Sequence, residues 1–219
     1  MVTFGPGRIG IIRAARDSTT PPRARYSDLR NGLRAYLTDP QRDRSILTTL
    51  GNKLDQKLSD TSSSNFARQD AQSSLTALDA FLRGERNLLS GYNFTRAPAR
   101  QTPLQIGGVE VNVQLDLLIQ RERNGRAECG GALLRLTKAD EDETDGAAGK
   151  RRDMASYAAT LVQMQVRASQ PDGTAIVPEL CLSIDVQSGE VQPSSRNFLT
   201  RAQRLEAECR FISALWNEA

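Results

Sequence analysis

The feature that most constrains this chain is a change of hydrophobic period near residue 100. Up to Leu89 the apolar residues recur every three to four positions, as in helices with one buried face; beyond it they alternate, as in half-buried strands. Before the change, Leu29, Leu33, Tyr36 and Leu37 form one stripe, capped by Ser27 or Asp28 and stopped at Asp39-Pro40. Ile46, Leu47, Leu50, Leu54 and Leu58 form a second, closed by the polar run from Asp60 to Ser64. Asn65 opens a third and longer helix carrying Ala71, Leu75, Leu78, Phe81, Leu82 and Leu89, ended by Ser90-Gly91. After the change, Leu104–Ile106 and Val109–Leu115 predict a strand with a glycine bend at Gly107-Gly108, continued or followed by a second strand from Asp116 to Gln120. Asn124-Gly125 predicts a hairpin returning along Gly130–Lys138. A helix from Arg151 to Arg167, an Asp172-Gly173 turn, a strand within Pro178–Val191 and a helix capped by Ser195 complete the order. Phe198, Ala202, Leu205, Cys209, Ile212 and Trp216 are expected to form the core face of that last helix.

Composition removes whole classes of chemistry. The 219 residues include no histidine, which excludes Ser-His-Asp and Cys-His catalysis, His-ligated zinc and a histidine pH switch. Cys129, Cys181 and Cys209 form no CxxC pair, so they are expected to be buried thiols, neither a zinc site nor a disulfide frame. No apolar run is long enough to span a bilayer, and a cytoplasmic location is expected. Lys and Arg total 29 against 26 Asp and Glu, a mild excess of +3 that does not by itself point to nucleic acid. The charges are unevenly placed. Residues 1–25 carry five arginines against one acid, and their Pro and Gly content argues for a flexible basic arm without a continuous helix. Five acids lie within 140–145, followed by Lys150, Arg151 and Arg152. The acidic run lacks the spacing of a calcium loop and is expected to be a solvated loop. Three parts are expected: the arm 1–25, a helical segment 26–64, and a core over 65–219.

The fold class is therefore α+β (or α/β): N-terminal helices, then an αβββαβ core with a mixed central sheet flanked by helices. That order, with Asp116 in Val113–Ile119, the Asn124-Gly125 hairpin, Leu136-Thr137-Lys138 and Tyr157–Leu161, resembles the PD-(D/E)XK nuclease superfamily, most closely its RecB-type members. The resemblance covers roughly residues 66–190. It implies a Mg²⁺- or Mn²⁺-dependent phosphodiester hydrolase acting on DNA, with no organic cofactor. Two carboxylates on neighbouring strands would hold the hard cation, and a lysine would orient the attacking water. It assigns Asp116 as metal ligand and Lys138 as catalytic lysine.

The sequence departs from the family at two positions. Leu136 stands where the second acid belongs, and Asp153 stands where the family has a glutamine four residues before Tyr157. Two readings follow. In one, Asp153, after 14 residues intervening from Lys138, completes a catalytic and metal site with Asp116; Glu110 and Asp185 are further candidates. Lys150, Arg151 and Arg152 would then contact phosphates. In the other, the site is dead and the scaffold serves as a protein-interaction or assembly subunit, docking a protein partner or a second copy through its N-terminal helices. Asp153 also suits the first turn of a helix, where an acid is favourable with the dipole. Gly107-Gly108 and Gly130-Gly131 match no phosphate loop and are expected to mark bends or close backbone packing.

Overall fold

The structure, a computed structural model, describes residues 6–17, 24–89, 91–136, 144–170, 174–195 and 197–217. Lys138, the acids from Asp140 to Glu143 and the Asp172-Gly173 turn lie outside them.

Among the described residues, six helices surround a five-stranded mixed sheet, an α+β fold. The helices are α1 (Pro6–Asp17), α2 (Ser27–Thr38), α3 (Ser45–Ser59), α4 (Asn65–Leu89), α5 (Asp145–Ser169) and α6 (Phe198–Asn217). The main sheet takes β1 (Phe94–Arg96), β4 (Leu117–Arg123), β5 (Arg126–Arg135), β6 (Ala175–Asp185) and β7 (Glu190–Pro193), in that order. Only the β5–β6 pair is parallel, with α5 as its crossover. Strands β2 (Leu104–Ile106) and β3 (Val109–Val111) form a separate hairpin.

Alternation along the strands divides the side chains between two cores. Leu117, Ile119, Ala132, Leu134, Leu182 and Ile184 point toward α2, α3 and α4. Leu118, Leu133, Cys129 and Cys181 point toward α5 and the β2–β3 hairpin. A central strand buried on both faces must be apolar at nearly every position, which is why β6 reads as a continuous run from Leu180 to Ile184. Helix α5 approaches the sheet closely because its inner face is small: Ala155, Ala159, Val162 and Val166.

Close approach also explains two glycines. In Gly130 a Cβ would lie 2.2 Å from the Leu180 carbonyl oxygen. The register between β5 and β6 jumps there, from Cys129 opposite Ile176 to Gly131 opposite Cys181. Gly107, at the tip of the β2–β3 hairpin with φ +54°, packs against α6, where a Cβ would meet the Glu206 carbonyl at 2.5 Å. Both pairs thus mark bends and tight packing, as their lack of a phosphate-loop pattern suggested.

Several local expectations change. The basic arm contains a helix, α1, beside α6. Pro6 does not prevent it because it occupies the first helical position, where its missing N–H has no partner to lose. The alternating run Val109–Leu115 is strand only at Val109–Val111, in the accessory hairpin. The first strand of the main sheet is instead β1, three residues long and too short to show a period. Pro178–Val191 is two strands with a turn at Gly189, φ +71°. Helix α5 begins at Asp145, six residues before Arg151, with the Thr144 hydroxyl accepting from Ala147 N at 3.3 Å. Neither Ser27 nor Asp28 caps α2; Tyr26 precedes it at φ 60° and donates its N–H to Asp70 Oδ1 of α4 at 2.8 Å.

The segment 26–64 shares its core with the sheet, so the apolar faces of α2 and α3 and most of that of α4 are spent internally, Leu82 of α4 being exposed. The exposed large apolar side chains include Met154 on α5 and Leu199, Phe211 and Trp216 on α6. The stripe expected to be the core face of α6 is buried only at Cys209; the rest is half-buried or, at Trp216, exposed. No helix among the described residues is long and apolar enough to cross a membrane.

Candidate functional site

Asp116 immediately precedes β4, and β5 ends beside it, so the aspartate and the end of the returning strand meet at one end of the sheet. Its backbone N–H donates to Ala132 O at 2.9 Å, and its carbonyl accepts from Ala97 N at 3.4 Å. The side chain is 3% exposed. A carboxylate buried to that degree needs a cation and hydrogen-bond donors. It has both: Arg30 Nη1 of α2 and the Leu134 backbone N–H, at 2.8 Å, donate to the same oxygen, Oδ2. The Arg30 side chain is 34% exposed, so the pair sits at the floor of an open pocket. That pocket holds about 320 Å³ and is lined by Arg30, Arg34, Asn112, Gln114, Asp116 and Leu133, among others.

Leu136, where the sequence resemblance would expect a second acid, is 5% exposed and packs in the core with Leu134, Leu117 and Val186. A carboxylate in that position would be surrounded by hydrocarbon. Asp153 is exposed on α5, and no residue of α5 among those described lines the pocket at Asp116. Asp116 and Asp153 are therefore not brought together there. Lys138 follows Leu136 by two residues and lies outside the described residues.

Asp185, the other buried acid at this end of the sheet, is committed elsewhere. Fully buried at the end of β6, it accepts from Arg135 at 2.8 Å and from Arg151 at 3.4 Å. Its second oxygen accepts from the backbone N–H groups of Gln187 and Ser188, each at 3.2 Å. Arg151, expected to face phosphates, thus turns inward with its side chain 13% exposed. A sequence cannot separate the two roles, because the partner acid is 34 residues away. Lys150 and Arg152 are exposed. Glu110 is exposed on β3 and lines a groove against Ile212 and Trp216 of α6. Tyr157 lines a different groove with Met154, Leu161 and Leu205.

Among the described residues there is no group of three or more acids or cysteines able to hold a metal ion. A hard cation wants six or more oxygen ligands, several of them carboxylate. The described residues suit it poorly: the one buried carboxylate of the pocket has a guanidinium beside it, and no second acid faces it. The three cysteines are free and buried. Burial raises all three thiols above their ordinary pKa and pushes Cys181 to about 12, so they are poor nucleophiles.

Arg30 and Arg34 escape a reading by periodicity because they flank the apolar stripe of α2, where cations ordinarily reach water. Their i, i+4 spacing is the signal that could have found them. The chain matches no family model, no curated protein and no solved structure.

Proposed function

We propose that this chain is a catalytically silent, nuclease-like scaffold that works as a protein-interaction or assembly subunit. The observation that carries this reading is the Arg30–Asp116 pair. A guanidinium supplies the positive charge that a divalent cation would supply in the PD-(D/E)XK family, and the position of the second acid is a core leucine. A cation approaching Asp116 would have to displace Arg30 and compete with its charge. The exposed apolar side chains on α5 and α6 are consistent with a protein that works by binding.

The metal-dependent nuclease remains as a second reading on one observation. The strand pairing, antiparallel, antiparallel, then parallel across α5, is the arrangement that the αβββαβ resemblance implies.

The two readings are separated by incubating the purified chain with single- and double-stranded DNA and RNA in Mg²⁺ and in Mn²⁺. No cleavage is expected, and light scattering is expected to find an oligomer or a pull-down a defined partner. Metal-dependent cleavage abolished by Asp116→Ala and by Lys138→Ala would refute the scaffold reading. A strict monomer without any partner would refute its assembly role.

A further inference from the structure

The pocket above Asp116 has an excess of donors. Arg30 and Arg34 lie one helical turn apart on α2 and both line it. Two guanidinium charges face one carboxylate, which leaves the pocket cationic. Asp116 Oδ2 takes only one of the five N–H groups of Arg30. Arg34 is less satisfied still. Its Nε is buried without a hydrogen-bond partner, and no carboxylate pairs with its guanidinium among the described residues. A buried guanidinium nitrogen without an acceptor is costly, because it has lost its water and gained nothing in exchange. Asn112 and Gln114, both exposed, also line the pocket, with Gln114 Nε2 donating to Asn112 Oδ1 at 2.6 Å. The site therefore collects donors from two elements around a space of about 320 Å³, room for a small oxyanion.

We infer that this pocket binds the oxyanion group, carboxylate or phosphate, of a small-molecule ligand, held by the Arg34 fork with Arg30 and Asn112 in support. Arg30 is the hinge of the arrangement: Asp116 holds it in place, so the buried carboxylate positions a cation for an anion and not a metal. Planar forks of this kind favour carboxylate and phosphate over spherical anions, since two parallel N–H groups match two oxygens. The inference goes beyond the scaffold reading and stands or falls separately from it, because it concerns binding and not cleavage.

The test is isothermal titration of the full chain with inorganic phosphate and with acetate, against chloride at matched ionic strength. A single saturable site in the millimolar range or tighter is expected for at least one of the two oxyanions, and none for chloride. Arg34→Gln is expected to weaken binding about tenfold or more, since it removes a charged hydrogen-bonding partner. Arg34→Lys, which keeps the charge and loses the fork, is expected to fall between the two. The thermal midpoint of each variant without ligand checks its fold; Arg34→Gln is expected to match or exceed the parent, because it removes an unpaired buried nitrogen. Arg126→Gln, an exposed control on β5 outside the pocket, is expected to bind as the parent does.

Absence of saturable binding by either oxyanion would overturn the inference. So would equal stabilisation by chloride, or binding unchanged in Arg34→Gln. A single-stranded oligonucleotide that binds through Arg34 while phosphate and acetate do not would overturn the small-ligand assignment and point to a nucleic-acid backbone. Cleavage of that oligonucleotide would refute the scaffold reading and leave the pocket assignment to be decided by the titrations.

Discussion

Replacing Arg30 by methionine tests the central ion pair. The substitution keeps most of the aliphatic stem and removes the charge, leaving Asp116 with the Leu134 N–H as its one donor among the described residues. Breaking a fully buried pair by removing one partner costs about 3–5 kcal/mol. Asp116 is sealed, but Arg30 is one-third exposed, so water can enter from its side and screen the remaining charge. That places the expected loss nearer about 2 kcal/mol. With a denaturant slope of about 2 kcal/mol/M, the urea midpoint falls by about 1 M. Adding Asp116→Asn is expected to recover half or more of the loss, because asparagine keeps an acceptor for Leu134 N–H and carries no charge. The Arg30→Met variant is also expected to show no midpoint change in about 10 mM Mg²⁺, since a ligand stabilises only the state it binds. A loss below about 0.5 kcal/mol would refute the electrostatic account, that being the size of an ordinary surface change. Additive losses in the double variant would refute the lone-charge explanation. A rise in midpoint with Mg²⁺ would show that Asp116 accepts a metal once the guanidinium is gone.

Further outcomes are expected elsewhere. Leu136→Glu, which introduces the acid that the nuclease resemblance would call for, is expected to destabilise by about 3 kcal/mol or more by burying an unpaired carboxylate, and to gain no Mg²⁺-dependent cleavage; cleavage by the variant would contradict the packing of that position. Gly130→Ala is expected to lower the thermal midpoint by several degrees, because its Cβ collides with strand β6; an unchanged midpoint would show that the bulge relaxes freely. Asp28 donates nothing but accepts from Lys53 at 2.7 Å and from Lys57, and those lysines hold its pKa below the ordinary 3.8. Its contribution to stability is therefore present above that ordinary value and is lost as pH falls through the lowered folded-state pKa. Asp28→Asn is expected to flatten the stability curve below pH of about 4, and an unchanged curve would remove the coupling. The three thiols are expected to resist a thiol reagent in native protein and react on unfolding; rapid native labelling of Cys181 would contradict its burial.

The helices from Ser27 to Leu89, the Asn124-Gly125 turn and the apolar run of β6 were legible in the sequence because each rests on local pattern. A helix needs a stripe at three to four residues, and a type of turn needs residues that accept positive φ. The short strand β1 was not legible: three residues carry no period, and its membership in the sheet comes from pairing with β4. The same limit applied to the candidate site. The sequence alone presented Asp116, the leucine at 136 and the arginines of α2 as separate facts, and it determined that no histidine chemistry was available. Only the tertiary structure decided that Arg30, 86 residues away in sequence, is the partner of Asp116, and that Arg151 turns toward Asp185. Burial and charge pairing act through space at a few ångströms, whereas sequence patterns report periods of two to four residues. A carboxylate's role is therefore set by whichever cation the fold delivers to it.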